Sequence, residues 1–266
     1  MACHGSLNNN SAGYRLAGRK LEVLDLGLMD YRQAWDLQGK YAVEIAEGER
    51  APTLLLLEHP HVYTFGRSGR IENLLWKEDQ LHQKNIDVQW VDRGGDVTYH
   101  GPGQLVGYPL IPLYSFRAPD EHPGTPLDYI GYLRRLEKLL MQALAGFGLV
   151  AAQRRGYTGV WIQSDVWSRC SRCLPADWQK PAKLASIGVK VDARGITRHG
   201  FALNVDPDMS YWDGIVPCGL QDEPVAALSD LLDPAPRMEV VKGMVTQAFE
   251  QEFFTPRLLM EQMKGS

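Results

Sequence analysis

The stretch Arg93-Gly94-Gly95-Asp96-Val97-Thr98-Tyr99-His100-Gly101-Pro102-Gly103-Gln104-Leu105-Val106-Gly107-Tyr108-Pro109 places five glycines, two tyrosines, a threonine, an arginine and a histidine in seventeen positions. Glycine admits φ > 0 and lets a ligand approach the main chain closely. The interleaved Arg, Thr, Tyr and His supply donors that fix such a ligand. A tight connection between two strands would account for the glycines alone, but the density of polar chemistry marks a site.

Val88 and Trp90 alternate in a strand that feeds this run, and residues 105–113 read as extended beyond it. Pro109 and Pro112 assign that second segment to a sheet edge or an irregular strand, because proline donates no ladder hydrogen bond. Further upstream, residues 20–28 alternate as a strand, and Asp30, three residues before Gln33, precedes Ala34, Leu37, Tyr41 and Ile45 at helical spacing. Residues 53–57 form an apolar run suited to a strand buried on both faces, ended by Glu58-His59-Pro60-His61. Downstream, the spacing predicts a helix between Asp128 and Gly146, with Thr125 as N-cap, Pro126 at the first helical position and Leu133, Leu136, Leu140, Ala143 and Phe147 as its apolar stripe. Short strands follow over 159–163, 184–191 and 200–205, and a last helix over 238–253 turns Val241, Met244, Val245 and Ala248 inward. This order predicts an α/β (α+β) fold, a mixed β-sheet flanked by helices, without the regular alternation of a doubly wound sheet.

The 266 residues suffice for one large domain with a sizeable core, and 44% hydrophobic with 23% charged residues is ordinary for a globular protein. A net charge of −4 gives no support to nucleic-acid binding, although arginines cluster at Arg67/Arg70, Arg134/Arg135 and Arg154/Arg155. No apolar run approaches the ~20 residues that span a bilayer, so no membrane partner is expected. Residues 1–19 are polar, contain Asn8-Asn9-Asn10 and lack an apolar signal region; they read as a disordered extension before a catalytic domain over 20–266. Four cysteines in such a length make no disulfide framework, and a reducing, cytoplasmic setting is the simplest reading.

Two residues are candidates for covalent and proton-transfer chemistry. Cys218 stands between Pro217, which stiffens the approach, and Gly219, which leaves room beside the sulfur. A lone cysteine is commonly an inert packing residue, whereas backbone N–H groups at such a turn can stabilise an oxyanion. Lys183 leads into the apolar run Leu184-Ala185-Ser186-Ile187-Gly188-Val189. Either it ends a strand at the surface, or it is drawn into an apolar pocket and moves protons. Cys170-Ser171-Arg172-Cys173 is a lone C-x-x-C, half of a zinc or redox motif at most, with no second pair to complete it; it reads as a surface insertion and no metal site is expected. Phosphate-loop, H-E-x-x-H and G-x-S-x-G motifs are absent.

In order along the chain stand Leu54 to Leu57-Glu58-His59-Pro60 with Val62-Tyr63-Thr64 and Gly66-Arg67, the Arg93–Tyr108 run, Gly159-Val160-Trp161, Lys183 to Gly188, His199-Gly200-Phe201-Ala202-Leu203-Asn204 and Pro217-Cys218-Gly219. Together they resemble the lipoyl(octanoyl) transferase family, over roughly Leu21 to Leu232. The resemblance implies a biotin/lipoate protein ligase-like fold and transfer of an octanoyl group from acyl carrier protein to the acceptor lysine of lipoyl domains, without a cofactor. The implied acceptors are the lipoyl domains of 2-oxoacid dehydrogenase complexes and the glycine cleavage H protein. It implies that Cys218 accepts the acyl group and that Lys183 is the general acid/base. It also implies that Arg93, Gly94, Gly95, Asp96, Val97, Thr98, Tyr99 and His100, with Ser186, Ile187, Gly188, Gly200, Phe201 and Ala202, line the acyl pocket. The segment 163–181 is longer than the family pattern, and the polar N-terminal extension lies outside it.

Thioester-to-thiol exchange is close to energy-neutral and amide formation from a thioester runs downhill, so this chemistry needs no ATP. An ATP-dependent lipoate or biotin protein ligase is the rival reading, with Gly66-Arg67-Ser68-Gly69-Arg70 faintly similar to a loop that holds an acyl-adenylate. Such a ligase has no need of a cysteine nucleophile.

Overall fold

The computed structural model describes residues 20–116, 125–164, 180–219 and 223–255. Ten strands occur among them: β1 (Glu22–Leu28), β2 (Thr53–Glu58), β3 (Val62–Phe65), β4 (Asp87–Trp90), β5 (Val97–His100), β6 (Gln104–Leu110), β7 (Ala151–Arg154), β8 (Tyr157–Ile162), β9 (Ala182–Val191) and β10 (Thr197–Asn204). The helices are α1 (Tyr31–Glu47), α2 (Glu78–Gln83), α3 (Tyr129–Ala145), α4 (Leu228–Leu231) and α5 (Met238–Phe253). Seven strands form a mixed sheet in the order β1-β2-β6-β10-β9-β8-β7, and β4-β3-β5 form a second, smaller sheet.

The apolar run of β2 is buried on both faces because the side chains alternate between two layers. Leu54 and Leu56 join Leu136, Leu140, Val241 and Phe249 of α3 and α5, while Leu55 and Leu57 meet Ala34, Ala42 and Ile45 of α1. A third apolar cluster, with Tyr63, Phe65, Val97, Tyr99 and Trp212, sits on the small sheet. The fold is thus the expected mixed sheet flanked by helices. No helix among the described residues is long and apolar enough to cross a membrane.

Two local expectations are corrected. β6 is not an edge strand but central, between β2 and β10, and the irregularity expected from Pro109 shows in its pairing. Its ladder with β10 runs from Gln104↔Asn204 to Gly107↔Phe201 and then lapses. There the Thr197 hydroxyl donates to Pro109 O (2.7 Å) and accepts from Ile111 N–H (3.0 Å). A side chain therefore bridges the gap in which proline offers no N–H. The second correction concerns α3, whose N-cap is Asp128, not Thr125; its carboxylate accepts the Gly131 N–H at 2.7 Å. The Cys170/Cys173 insertion and the extension over 1–19 lie outside the described residues.

Candidate active site

β9 carries Lys183 at its start and Ser186, Ile187 and Gly188 further along. The Gly-rich run crosses over the same strand. Gly94 N–H donates to Val189 O at 2.9 Å, and a Cβ on Gly188 would lie 3.0 Å from both Arg93 Cδ and Gly94 O. Any larger residue would force Arg93 and Gly94 to give way. The crossing is a waist between two spaces.

On one side is a cleft of about 640 Å³ bordered by Lys183, Gly219, Asp96, Leu133 and Val189. On the other is a narrow chamber of about 40 Å³ walled by Arg93, Thr98, His100, Ser186, Gly200, Phe201 and Ala202, with Tyr31, Tyr108 and His199. Gly94, Gly95, Ile187 and Gly188 line both.

Lys183 is buried at 5% exposure, with Nζ 5.3 Å from the centre of the Trp161 ring. Its backbone N–H donates to Pro224 O (2.8 Å) and its carbonyl accepts from Ala226 N–H (2.9 Å), so the chain just after the Cys218 turn is tied to the lysine strand. Cys218 occupies the 3-10 turn Pro217–Gly219. That turn is anchored by Val216 N–H to Asn73 O (2.8 Å), and Gly219 N–H closes onto Val216 O (3.1 Å). The Gly219 N–H is therefore engaged within the turn.

Asp96 knots these loops together. Its carboxylate accepts Arg70 N–H (2.9 Å), Val97 N–H (2.7 Å) and the Asn73 amide. Asp96→Ala strands three donors at once. The expected cost is about 1–3 kcal/mol, read as a lower urea midpoint at unchanged m-value.

The expectation for Val97 and Tyr99 is corrected. Alternation along β5 turns Thr98 and His100 toward the chamber, and Val97 and Tyr99 the other way into the small-sheet cluster. Tyr99 stacks on Tyr211 and shares a 2.9 Å hydrogen bond with His61. Arg93 is also committed within the fold: its guanidinium donates to the Thr64 hydroxyl (2.9 Å) and to Gly94 O (2.9 Å).

Sequence reasoning did not assign Tyr31, Tyr108 or His199 to the chamber, yet they form its inner wall, with His59 and Asp92 hydrogen-bonded behind Tyr108 and His199. His59 donates from Nδ1 to Met29 O (2.7 Å), which leaves Nε2 to accept the Tyr108 hydroxyl (2.8 Å). His100 donates from Nδ1 to Gln104 Oε1 (2.8 Å), and the amide of that glutamine donates to Asn204 Oδ1 and to Tyr99 O. His199, at φ +54°, donates from Nε2 to Asp92 Oδ1 (2.7 Å), and its own N–H goes to Gln38 Oε1 (2.7 Å). The tautomers follow from these partners. The wall is polar in composition but largely paired within itself; Thr98 Oγ1 is one buried atom without a partner.

Burial lowers all three imidazoles: His59 to about 4, His100 well below its ordinary value, and His199 despite the opposing pull of Asp92. Burial also pushes the Tyr31 phenol up to about 12. Burial raises Asp92, but hydrogen bonds from His199 and Lys190 outweigh it and hold the carboxyl below its ordinary value. The unfolded chain, with ordinary histidines near 6.5, therefore binds protons that the folded chain excludes, and stability falls with pH below about 6.5. His59 alone accounts for about 2 kcal/mol between pH 6.5 and 5. Thermal melts over that range are expected to show the midpoint dropping with pH, and a flat profile would contradict the neutral cluster.

Residues 30–250 match the family model of the lipoyl protein ligase A/B catalytic domain. The chain is 41% identical over 242 residues to an octanoyltransferase of Cytophaga hutchinsonii, covering 86% of this chain and 91% of that protein. It is 40% identical over 241 residues to an octanoyltransferase of Chloroflexus aurantiacus, covering 90% and 97% respectively. Among solved structures it is similar to a bi-partite lipoate protein ligase from Thermoplasma acidophilum, with a TM-score of 0.61 at 17% identity over 89% of this chain and 83% of that one, a likeness of fold alone. With the family model spanning most of the sequence and the relatives matching along nearly their whole length, the chain belongs to the octanoyltransferases, acyltransferases of the lipoyl protein ligase A/B catalytic domain family.

Proposed function

We propose that this chain moves an octanoyl group from octanoyl-acyl carrier protein to the acceptor lysine of lipoyl domains through a thioester on Cys218. The observation that carries the reading is the shared cleft. Lys183 and the turn bearing Cys218 border it, and across the Gly94–Gly188 waist a narrow chamber shares Gly94, Gly95, Ile187 and Gly188 with it. The chemistry stays in the cleft and the acyl tail points past Ile187 toward the chamber, which at about 40 Å³ takes only its end.

Lys183 takes the Cys218 proton, and the thiolate attacks the thioester carbonyl. The carbon–sulfur bond to the carrier breaks, and the departing thiolate takes that proton from Lys183. The incoming lysine amine then attacks the Cys218 thioester, gives a proton to Lys183, and the amide forms as the Cys218 thiolate leaves and is reprotonated. Free lysine has an ordinary value near 10.4, so the acceptor arrives mostly protonated; it releases one proton to solvent before it attacks, and the second passes through Lys183 to the leaving Cys218 thiolate.

The exposed Arg67 and Arg70, the latter on the cleft rim, form the docking patch for an acidic carrier. The other two arginine clusters supply internal ion pairs, Arg134–Glu137, Arg135–Glu252 and Arg154–Glu223. The test is transfer from octanoyl-carrier protein to an unmodified lipoyl domain in the absence of ATP. Octanoylated lipoyl domain is the expected product, and strict dependence on ATP would identify a ligase instead.

A further inference from the structure

At Gly159, β8 leaves its ladders. Its pairing with β9 slips between Val160 and Trp161, and its pairing with β7 between Ala152 and Arg154. Gly159 stands at φ +130°, and a Cβ there would lie 2.8 Å from Lys183 Cε and 2.6 Å from Ala185 O. The bulge is therefore the slot in which the Lys183 stem lies. The Gly159 N–H, turned out of the ladder, donates to Glu137 Oε1 at 3.0 Å.

Glu137 is 0% exposed, in the middle of α3 among Leu136, Leu139 and Leu140. Its other oxygen accepts from Arg134 at 2.7 Å. A buried carboxylate is costly even when paired, and an apolar side chain would complete this helix face more simply. What the carboxylate adds is an acceptor for a backbone N–H that the bulge leaves without a strand partner.

We propose that Glu137 is a positioning residue for Lys183, acting through Gly159: it pins the bulge open so that the lysine stem keeps its place and Nζ reaches the cleft. The proposal rests on Lys183 being the proton-transfer group of the reaction.

The test is a double-mutant cycle on the full chain, following acyl loading from octanoyl-carrier protein by intact mass under single-turnover conditions. Glu137→Leu is expected to slow loading about tenfold or more without changing half-saturation by the carrier. Glu137→Gln keeps a carbonyl acceptor for Gly159 and is expected to stay within about threefold of wild type. In a Lys183→Ala background, Glu137→Leu is expected to slow loading no further, because the group it acts through is gone. A merely structural role would multiply the two effects, and that result overturns the proposal, as does wild-type loading by Glu137→Leu. If Glu137→Leu is unfolded at the assay temperature, Glu137→Asp, which withdraws the carboxylate by one methylene, takes its place in the cycle with the same expectation. Wild-type loading by Lys183→Ala would instead refute the role of the lysine, and the premise with it.

Discussion

Replacing Cys218 by serine is expected to abolish octanoyl transfer, by on the order of 10³-fold or more. A thiol exchanges with a thioester at little net cost and is readily ionised by a neighbouring base. A serine hydroxyl is far less acidic, and taking the acyl group as an oxygen ester makes the second step slower as well. The fold should persist, because the turn is held by backbone bonds, Val216 N–H to Asn73 O and Gly219 N–H to Val216 O, that do not involve the substituted atom. Steady-state transfer to a lipoyl domain, with melting curves alongside, measures this. Wild-type turnover by Cys218→Ser would refute the nucleophile assignment.

Lys183→Ala is expected to slow both acyl loading and acyl transfer by about 10²–10⁴-fold, the range for a lost general acid/base. Its strand should remain paired, since Pro224 O and Ala226 N–H bond to the backbone of residue 183 and not to its side chain. Lys183→Arg is the sharper variant. It puts a basic group of similar reach over Trp161, but a guanidinium does not give up its proton in a protein, so both half-reactions should stay slow. Rapid-quench measurement of each half-reaction separates the steps, and a rescued Lys183→Arg would reduce the lysine to an electrostatic role.

Much of the frame was legible because its cause is local. The run over 53–57 is apolar without alternation and lies between two helix layers, and the last helix occupies the predicted residues 238–253. Of the small sheet only β4 was legible, from the alternation of Val88 and Trp90. β3 and β5 are four residues each and wholly buried, so neither offers an alternating pattern, and they are recognisable only through pairing with each other across the chain. Pro109 misled for a related reason: the Thr197 hydroxyl that donates to its carbonyl where the ladder lapses comes from 88 residues away.

The candidate site divides in the same way. The Gly-rich run, the lysine strand and the cysteine turn were each visible as motifs, and the fold brings them to one cleft. Glu137 gave no signal, since one acid inside an apolar helix stripe looks like a solvated position until the bulge behind it is seen. The inner wall of Tyr31, Tyr108 and His199, with His59 behind Tyr108, joins residues from a helix start, two sheet interiors and a strand end. The polar run Glu58-His59-Pro60-His61 hinted at His59 only.

The central claim is that the octanoyl group rests on Cys218 between donor and acceptor. Intact-mass analysis of the full chain after incubation with octanoyl-carrier protein, without ATP and without acceptor, addresses it most directly. The account predicts a gain of one octanoyl group, mapped to Cys218, labile to hydroxylamine and discharged on adding a lipoyl domain. An unmodified wild-type protein that still transfers the acyl group, or an adduct that survives in Cys218→Ser, would contradict it.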